Sequence, residues 1–166
     1  RLRRRSHELG RPGSSGTLAL ALVETVMAQG SVLTDPEIGT LGDYDSANVV
    51  LTTASGKQCT ITNSRRASYG YDQRIEVLGS KGMVAAKNTA EANIALADEA
   101  GFHEPPLLNF FMTRYTAAYA NEIAAFVASI EDGAPMPTTG KDGLKALELA
   151  EAALESVRTA AAVTLD

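Results

Sequence analysis

Tryptophan is absent from this chain and cysteine occurs once in 166 residues. A single thiol excludes a disulfide framework, and with only two histidines there is no Cys/His spacing for a zinc site. Cys59 falls in an alternating pattern and reads as a small sheet residue, in a compartment, expected to be cytoplasmic, where disulfides are not needed. Long apolar runs are missing too. The stretch from Thr17 to Val23 stops at Glu24, far short of the roughly 18 residues of a membrane span. No G-x-G-x-x-G follows a strand and there is no P-loop, so no glycine-rich cradle for a pyrophosphate is present. Gly79-Ser80-Lys81-Gly82 is a hairpin turn without the helix N-terminus that a phosphate loop needs. His7 and His103 have no evident partner for nucleophilic or acid–base work. No catalytic, cofactor-binding or metal-binding residue is assigned, and this chain alone is expected to bind no cofactor. A net charge of -5 argues against nucleic acid as the main partner.

What is present is an ordinary globular composition, 45% apolar and 21% charged, at a length that supports one domain with its own core. Residues 1–22 differ from the rest. Five of the ten arginines lie between Arg1 and Arg11, and Pro12-Gly13-Ser14-Ser15-Gly16 follows. Such a basic cluster invites a nucleic-acid or anionic-membrane reading. The lack of an initiator methionine points instead to a fragment whose first residues come from a shifted reading frame. The expected organisation is an atypical, basic, flexible segment over 1–22 and a folded domain over 23–166.

From Val23 the pattern is strand-rich and then helical. β-Branched residues run from Val23 to Leu33 and end before Asp35-Pro36. Asn48–Thr53 and Gln58–Thr62 flank Ala54-Ser55-Gly56-Lys57, a hairpin connection. Ala92–Ala97 reads as a further strand before a Gly101–Pro106 loop. Consecutive strands with short turns predict one antiparallel sheet. Tyr115, Tyr119, Ile123, Phe126, Val127 and Ile130 recur at helical spacing, and Asp132-Gly133 ends that run. Thr139 and Asp142 predict a capping box for a second helix, whose core face is expected to be Leu144, Leu147, Leu154 and Val157. The fold class is therefore α+β: an open, mostly antiparallel sheet with helices on one face. Val49, Leu51, Cys59 and Ile61 are expected on its other, open face, where they would support self-association.

The stretch from Asn63 to Met83 carries the most functional content. If extended, Tyr69 and Tyr71 share a face around Gly70, and Ile75–Leu78 leads through the turn at 79–82 into a second strand. Paired phenols among Asn63, Arg65, Arg66, Asp72, Gln73 and Arg74 suit a ligand rich in hydroxyl groups. The residues themselves also fit a half-exposed hairpin with a polar outer face.

Asn63-Ser64-Arg65-Arg66-Ala67, Tyr69-Gly70-Tyr71-Asp72-Gln73-Arg74 and Glu76-Val77-Leu78-Gly79-Ser80-Lys81-Gly82-Met83 resemble the C-terminal domain of the inositol dehydrogenases, in the glucose-fructose oxidoreductase-like family of NAD(P)-dependent sugar and polyol dehydrogenases. Phe110-Phe111, Arg114-Tyr115, Ala118-Tyr119 and Pro137–Gly143 match further family patterns, and the resemblance runs from about Val23 to Asp166. It implies the substrate-side half of an NAD-dependent enzyme, in which a Rossmann domain elsewhere holds NAD and supplies the catalytic lysine. It places a substrate-facing tyrosine at Tyr115, so that Tyr69, Tyr71 and Tyr115 would line a polyol pocket. It also implies dimers pairing into tetramers. A related sugar or polyol dehydrogenase and a non-catalytic β-sheet assembly module are the alternatives.

Overall fold

The computed structural model describes residues 23–165, so the basic segment over 1–22 lies outside the described residues. The described residues divide into two compact units, one made of residues 23–63 with 135–165 and the other of residues 64–134.

In the first unit the strand β1 (Val23–Ser31) is central. It pairs antiparallel with β2 (Ser46–Thr53) on one side and with a short C-terminal strand at Val163–Thr164 on the other. The strand β3 (Gln58–Ser64) flanks β2, at the opposite edge of a four-stranded sheet. Between β1 and β2 the chain makes the short helix α1 (Pro36–Thr40), started by Pro36 and by Asp35, whose carboxylate accepts from the Glu37 N–H at 3.1 Å. The loop before α1 is tied down by Asp45. Its buried carboxylate accepts from the backbone N–H groups of Leu33, Thr34 and Asp35 at 2.7–3.0 Å and from the Ser46 hydroxyl at 2.8 Å. These donors hold the acid well below the usual carboxylate range, the Leu33 N–H foremost.

The long C-terminal helix, Gly140–Thr159, packs on the sheet, and Val26, Leu51, Leu149 and Ala152 form the core between them. Its start is as the sequence suggests: the Asp142 carboxylate accepts from the Thr139 N–H at 2.6 Å and from its hydroxyl at 2.8 Å. Its buried face is not. Leu149, Ala152 and Ser156 are buried, whereas Leu144, Leu147 and Leu154 are exposed. Small side chains let the helix approach closely enough for the Ser156 hydroxyl to accept from the Ala28 N–H at 2.9 Å and donate to the Ala161 carbonyl at 2.7 Å.

The sheet's faces are also the reverse of the expectation. Val49, Leu51 and Ile61 line a groove of about 460 Å³ together with Leu149, Ala153 and Val157, so they belong to the helix side and not to an open face. Cys59, two residues before Ile61, shares that side by alternation and is exposed. The cross-strand pair Met27–Val50 belongs to the opposite face and is exposed.

The second unit holds two separate hairpins, so the strands do not form one continuous sheet. β4 (Ile75–Gly79) pairs with β5 (Gly82–Ala86) across Ser80-Lys81. β6 (Leu96–Asp98) pairs with β7 (Gly101–His103), replacing the expected 92–97 strand and 101–106 loop. The Asp98 carboxylate accepts from the Ala100 N–H at 2.8 Å and Gly101 takes φ +123, so the turn falls later than apolar alternation indicates. The short helix α2 (Phe111–Arg114) runs into α3 (Thr116–Glu131), which ends at Asp132 and at Gly133 with φ +66. The apolar residues of α3 recur at the spacing of one helix face, yet the helix has no buried residue, and Ile123, Phe126 and Ile130 are exposed. Periodicity identifies an apolar face but not the surface that covers it. In the numbering by chain order the C-terminal helix is α4 and the C-terminal strand is β8.

Candidate functional site

The site lies in the second unit, around the loop from Ser68 to Arg74. This loop is not a strand, so Tyr69 and Tyr71 do not share a face by alternation as the sequence suggests. Gly70 has φ +128, and a Cβ there would lie 2.6 Å from Cβ of Leu107. Only glycine satisfies both the dihedral and the contact. The close approach lets the Tyr71 N–H donate to the Leu108 carbonyl at 2.9 Å, while the Leu108 N–H donates to the Thr89 carbonyl at 3.0 Å. Leu108 thus ties the loop to the chain beyond β5.

The turn at Gly70 sends the two phenols to different partners. Tyr69 is 60% exposed and its hydroxyl donates to the Asp72 carboxylate, which raises the phenol above its ordinary value. Tyr71 is half-buried and meets Tyr115, 44 residues on, with their hydroxyls 3.5 Å apart and their rings edge-to-face at 5.7 Å. Tyr115 sits at the junction of α2 and α3, with φ -105 and ψ 11, which stations its side chain at the start of α3. Its hydroxyl donates to Oε1 of Gln73 at 2.5 Å. The neighbouring Tyr71 hydroxyl and burial raise its titration above the ordinary phenol value, so it is protonated at neutral pH and acts as a hydrogen-bonding group rather than a base. Tyr119 packs edge-on to Tyr115 at 6.3 Å, and the Arg114 guanidinium lies 5.7 Å from the Tyr115 ring centroid.

Asp72 has a different role. Its carboxylate accepts from Arg74 Nε at 2.8 Å, from Arg74 Nη2 at 2.9 Å, from Asn88 Nδ2 at 2.8 Å and from Tyr69. Arg74 foremost, then Tyr69 and Asn88, lower its pKa to about 2. A carboxylate with four donors and so low a pKa is a structural anchor and a poor general base. Asn88 completes the frame, since its Oδ1 accepts from the Gln73 N–H at 2.8 Å. The sequence reading missed Asn88. The signal was available in the hairpin register: Ile75 pairs with Ala86, and two further steps along the ladder bring Gln73 opposite Asn88. Of the remaining polar candidates, Asn63 lines the groove of the first unit, and the Arg66 carbonyl and N–H bond to the Ser64 hydroxyl. Among the described residues there is no group of three or more His, Cys, Asp or Glu side chains placed to hold a metal.

Residues 18–165 match the oxidoreductase family, C-terminal alpha/beta domain, and the chain belongs to that family. It is 60% identical over 133 residues to the inositol 2-dehydrogenase of Rhizobium meliloti (strain 1021), a match that covers 80% of this chain and 40% of that protein. It is 47% identical over 144 residues to the myo-inositol 2-dehydrogenase of Thermotoga maritima, covering 87% of this chain and 43% of that protein. The crystal structure of a myo-inositol dehydrogenase from Corynebacterium glutamicum ATCC 13032 superposes with a TM-score of 0.82 at 38% identity, covering 92% of this chain and 48% of the other. The chain therefore spans less than half the length of these relatives.

Proposed function

We propose that this chain is the substrate-side part of an NAD-dependent inositol dehydrogenase, in which Tyr71 and Tyr115 contact the polyol and Tyr69 stands at the rim of the pocket. The observation that carries this reading is the pairing of the Tyr71 and Tyr115 hydroxyls from positions far apart in sequence, in a chain whose relatives are named for oxidising inositols. A third oxygen about 2.8 Å from both hydroxyls would complete a hydrogen-bonded triangle, and a ring bearing a hydroxyl on each carbon supplies such oxygens. The two phenol rings offer an apolar wall for the ring's C–H groups. Hydride transfer and proton abstraction fall to groups outside this chain, with NAD as the acceptor. The face of the first unit bearing Met27 and Val50 is proposed as the surface where two copies meet.

The test joins the chain to the NAD-binding half of an inositol dehydrogenase. Tyr71→Phe and Tyr115→Phe are each expected to lower kcat/KM for inositol roughly two- to tenfold, the value of one hydroxyl hydrogen bond of about 0.5–1.5 kcal/mol. Unchanged kcat/KM for both variants would return the two tyrosines to a packing role.

A further inference from the structure

Gln73 is the side chain of this site whose chemistry the tyrosines alone do not explain. Its contact with Tyr115 is 2.5 Å, within the range of O–H···O bonds and too short for an amide N–H···O bond. The amide oxygen therefore faces the phenol, and the phenol donates. Tyrosine has one hydroxyl hydrogen. Once Tyr115 gives it to Gln73, the Tyr115 oxygen offers only lone pairs to anything else. The Gln73 amide nitrogen keeps two N–H donors, and these make no hydrogen bond among the described residues.

The orientation of Gln73 is built in. Its backbone N–H donates to Asn88 Oδ1 at 2.8 Å, and Asn88 Nδ2 donates to the Asp72 carboxylate at 2.8 Å. Arg74 and Tyr69 also donate to that carboxylate. The residues on both sides of Gln73 are thereby clamped, while Gly70 and Leu107 fix the approach of the loop. A freely rotating amide would present donor and acceptor interchangeably. This one is anchored at its backbone and engaged at its oxygen.

We infer that Gln73 is a specificity-determining residue: by taking the Tyr115 proton it makes Tyr115 an obligate acceptor beside its own N–H donors, so the site selects adjacent hydroxyls of which one donates to Tyr115 and its neighbour accepts from Gln73. This rests on the polyol reading above and adds to it the direction of each hydrogen bond. The ligand class is a cyclic vicinal polyol with a free O–H at the Tyr115 position. An ether or fluorine there can accept but cannot donate, so it meets lone pairs with lone pairs.

The test measures binding of inositol and of a set of mono-deoxyfluoro inositols, one per ring position, to the full 166-residue chain by saturation-transfer NMR. Fluorine is close to hydroxyl in size and cannot donate. For the unsubstituted chain, one ring position is expected to lose roughly tenfold in affinity on fluorination beyond the loss at the others. Gln73→Leu frees the Tyr115 proton and should erase that excess; it also removes the donors to the neighbouring hydroxyl, so the pattern should stay intact only at the positions beyond that neighbour. Gln73→Glu keeps an oxygen acceptor for Tyr115 and removes only the amide donors, so it should retain the excess. Circular dichroism of both variants checks folding. If Gln73→Leu weakens all ligands by one common factor or leaves the pattern unchanged, Gln73 sets no polarity and the inference is overturned. If the unsubstituted chain binds inositol with no position-specific excess, the inference fails and the polyol site stands. If it binds no polyol, the reading of the site fails first and the inference with it.

Discussion

Asp72 shows how a single residue can look catalytic in a motif and be structural in the fold. Between two tyrosines and two polar residues, a carboxylate invites an acid–base reading. Four donors converge on it instead, and they prefer it ionised. Its folded pKa of about 2 lies below the ordinary carboxylate value of 3.8, so its contribution to stability is complete above the unfolded value and is lost as pH falls through the folded one. The loop from Ser68 to Arg74 is expected to stay protected from amide exchange down to about pH 4 and to lose that protection towards about pH 2. Because the chain has no tryptophan, tyrosine fluorescence follows the same transition without interference. Loop protection that fades between pH 7 and 5 instead would show that another group controls it. Asp45, held by three backbone N–H groups and a hydroxyl, makes a parallel case in the first unit. Asp45→Asn replaces an acceptor by a donor facing those N–H groups, so a clear drop in melting temperature is expected, measured by calorimetry.

Among the elements, α4 and the hairpin of β4 and β5 carry the main lessons. The α4 helix has leucines at several angles around its axis, and the side that packs is the one bearing Leu149, Ala152 and Ser156. Ser156→Ala tests why. Helix propensity alone favours alanine by a few tenths of a kcal/mol. Losing the hydroxyl strands the buried Ala28 N–H and the Ala161 carbonyl, which costs about 1–3 kcal/mol. The second effect is larger, so urea denaturation should show a net loss of about 1–2 kcal/mol. A gain in stability would mean that packing and not hydrogen bonding places the helix. Beyond the last ladder pair of the hairpin, Ile75–Ala86, the Asn88 side chain takes the Gln73 N–H, and thereby orients the tyrosine site.

On the scale of the whole chain, two expectations follow from what it contains. It has no glycine-rich turn for a dinucleotide and spans less than half of its relatives, so the purified 166 residues should produce no NADH from inositol and NAD. Measurable NADH formation would overturn the assignment of hydride transfer to groups outside the chain. The face bearing Met27 and Val50, with Thr25 opposite Thr52 and Gln29 opposite Asn48, is uncharged and only partly apolar. Sheet-on-sheet association through it should appear in sedimentation velocity at micromolar concentration, and Met27→Lys should weaken it by placing an unpaired charge in the contact. A monomer at that concentration would remove this face as an interface.

The sequence by itself determined the main strands, the two long helices and the family. The β-branched run of β1 and its stop before Asp35-Pro36, the Thr139/Asp142 box and the Asp132-Gly133 stop are local, because propensity and capping act within a few residues. The Tyr-Gly-Tyr-Asp-Gln-Arg motif and Arg114-Tyr115 were equally legible. Only the tertiary structure decided which face of α4 is buried, since the closest approach depends on the size of side chains across the gap and not on periodicity. It also turned Val49, Leu51 and Ile61 to the helix side, because alternation defines two faces without saying which one meets the helix. The pairing of Tyr71 with Tyr115, and the parting of Tyr69 from both, depended on the positive φ of Gly70 and on contacts with Leu107 and Leu108. Hydrogen-bond direction at Tyr115 came last of all, because it needs Gln73, Asn88 and Asp72 together at distances that no stretch of sequence encodes alone.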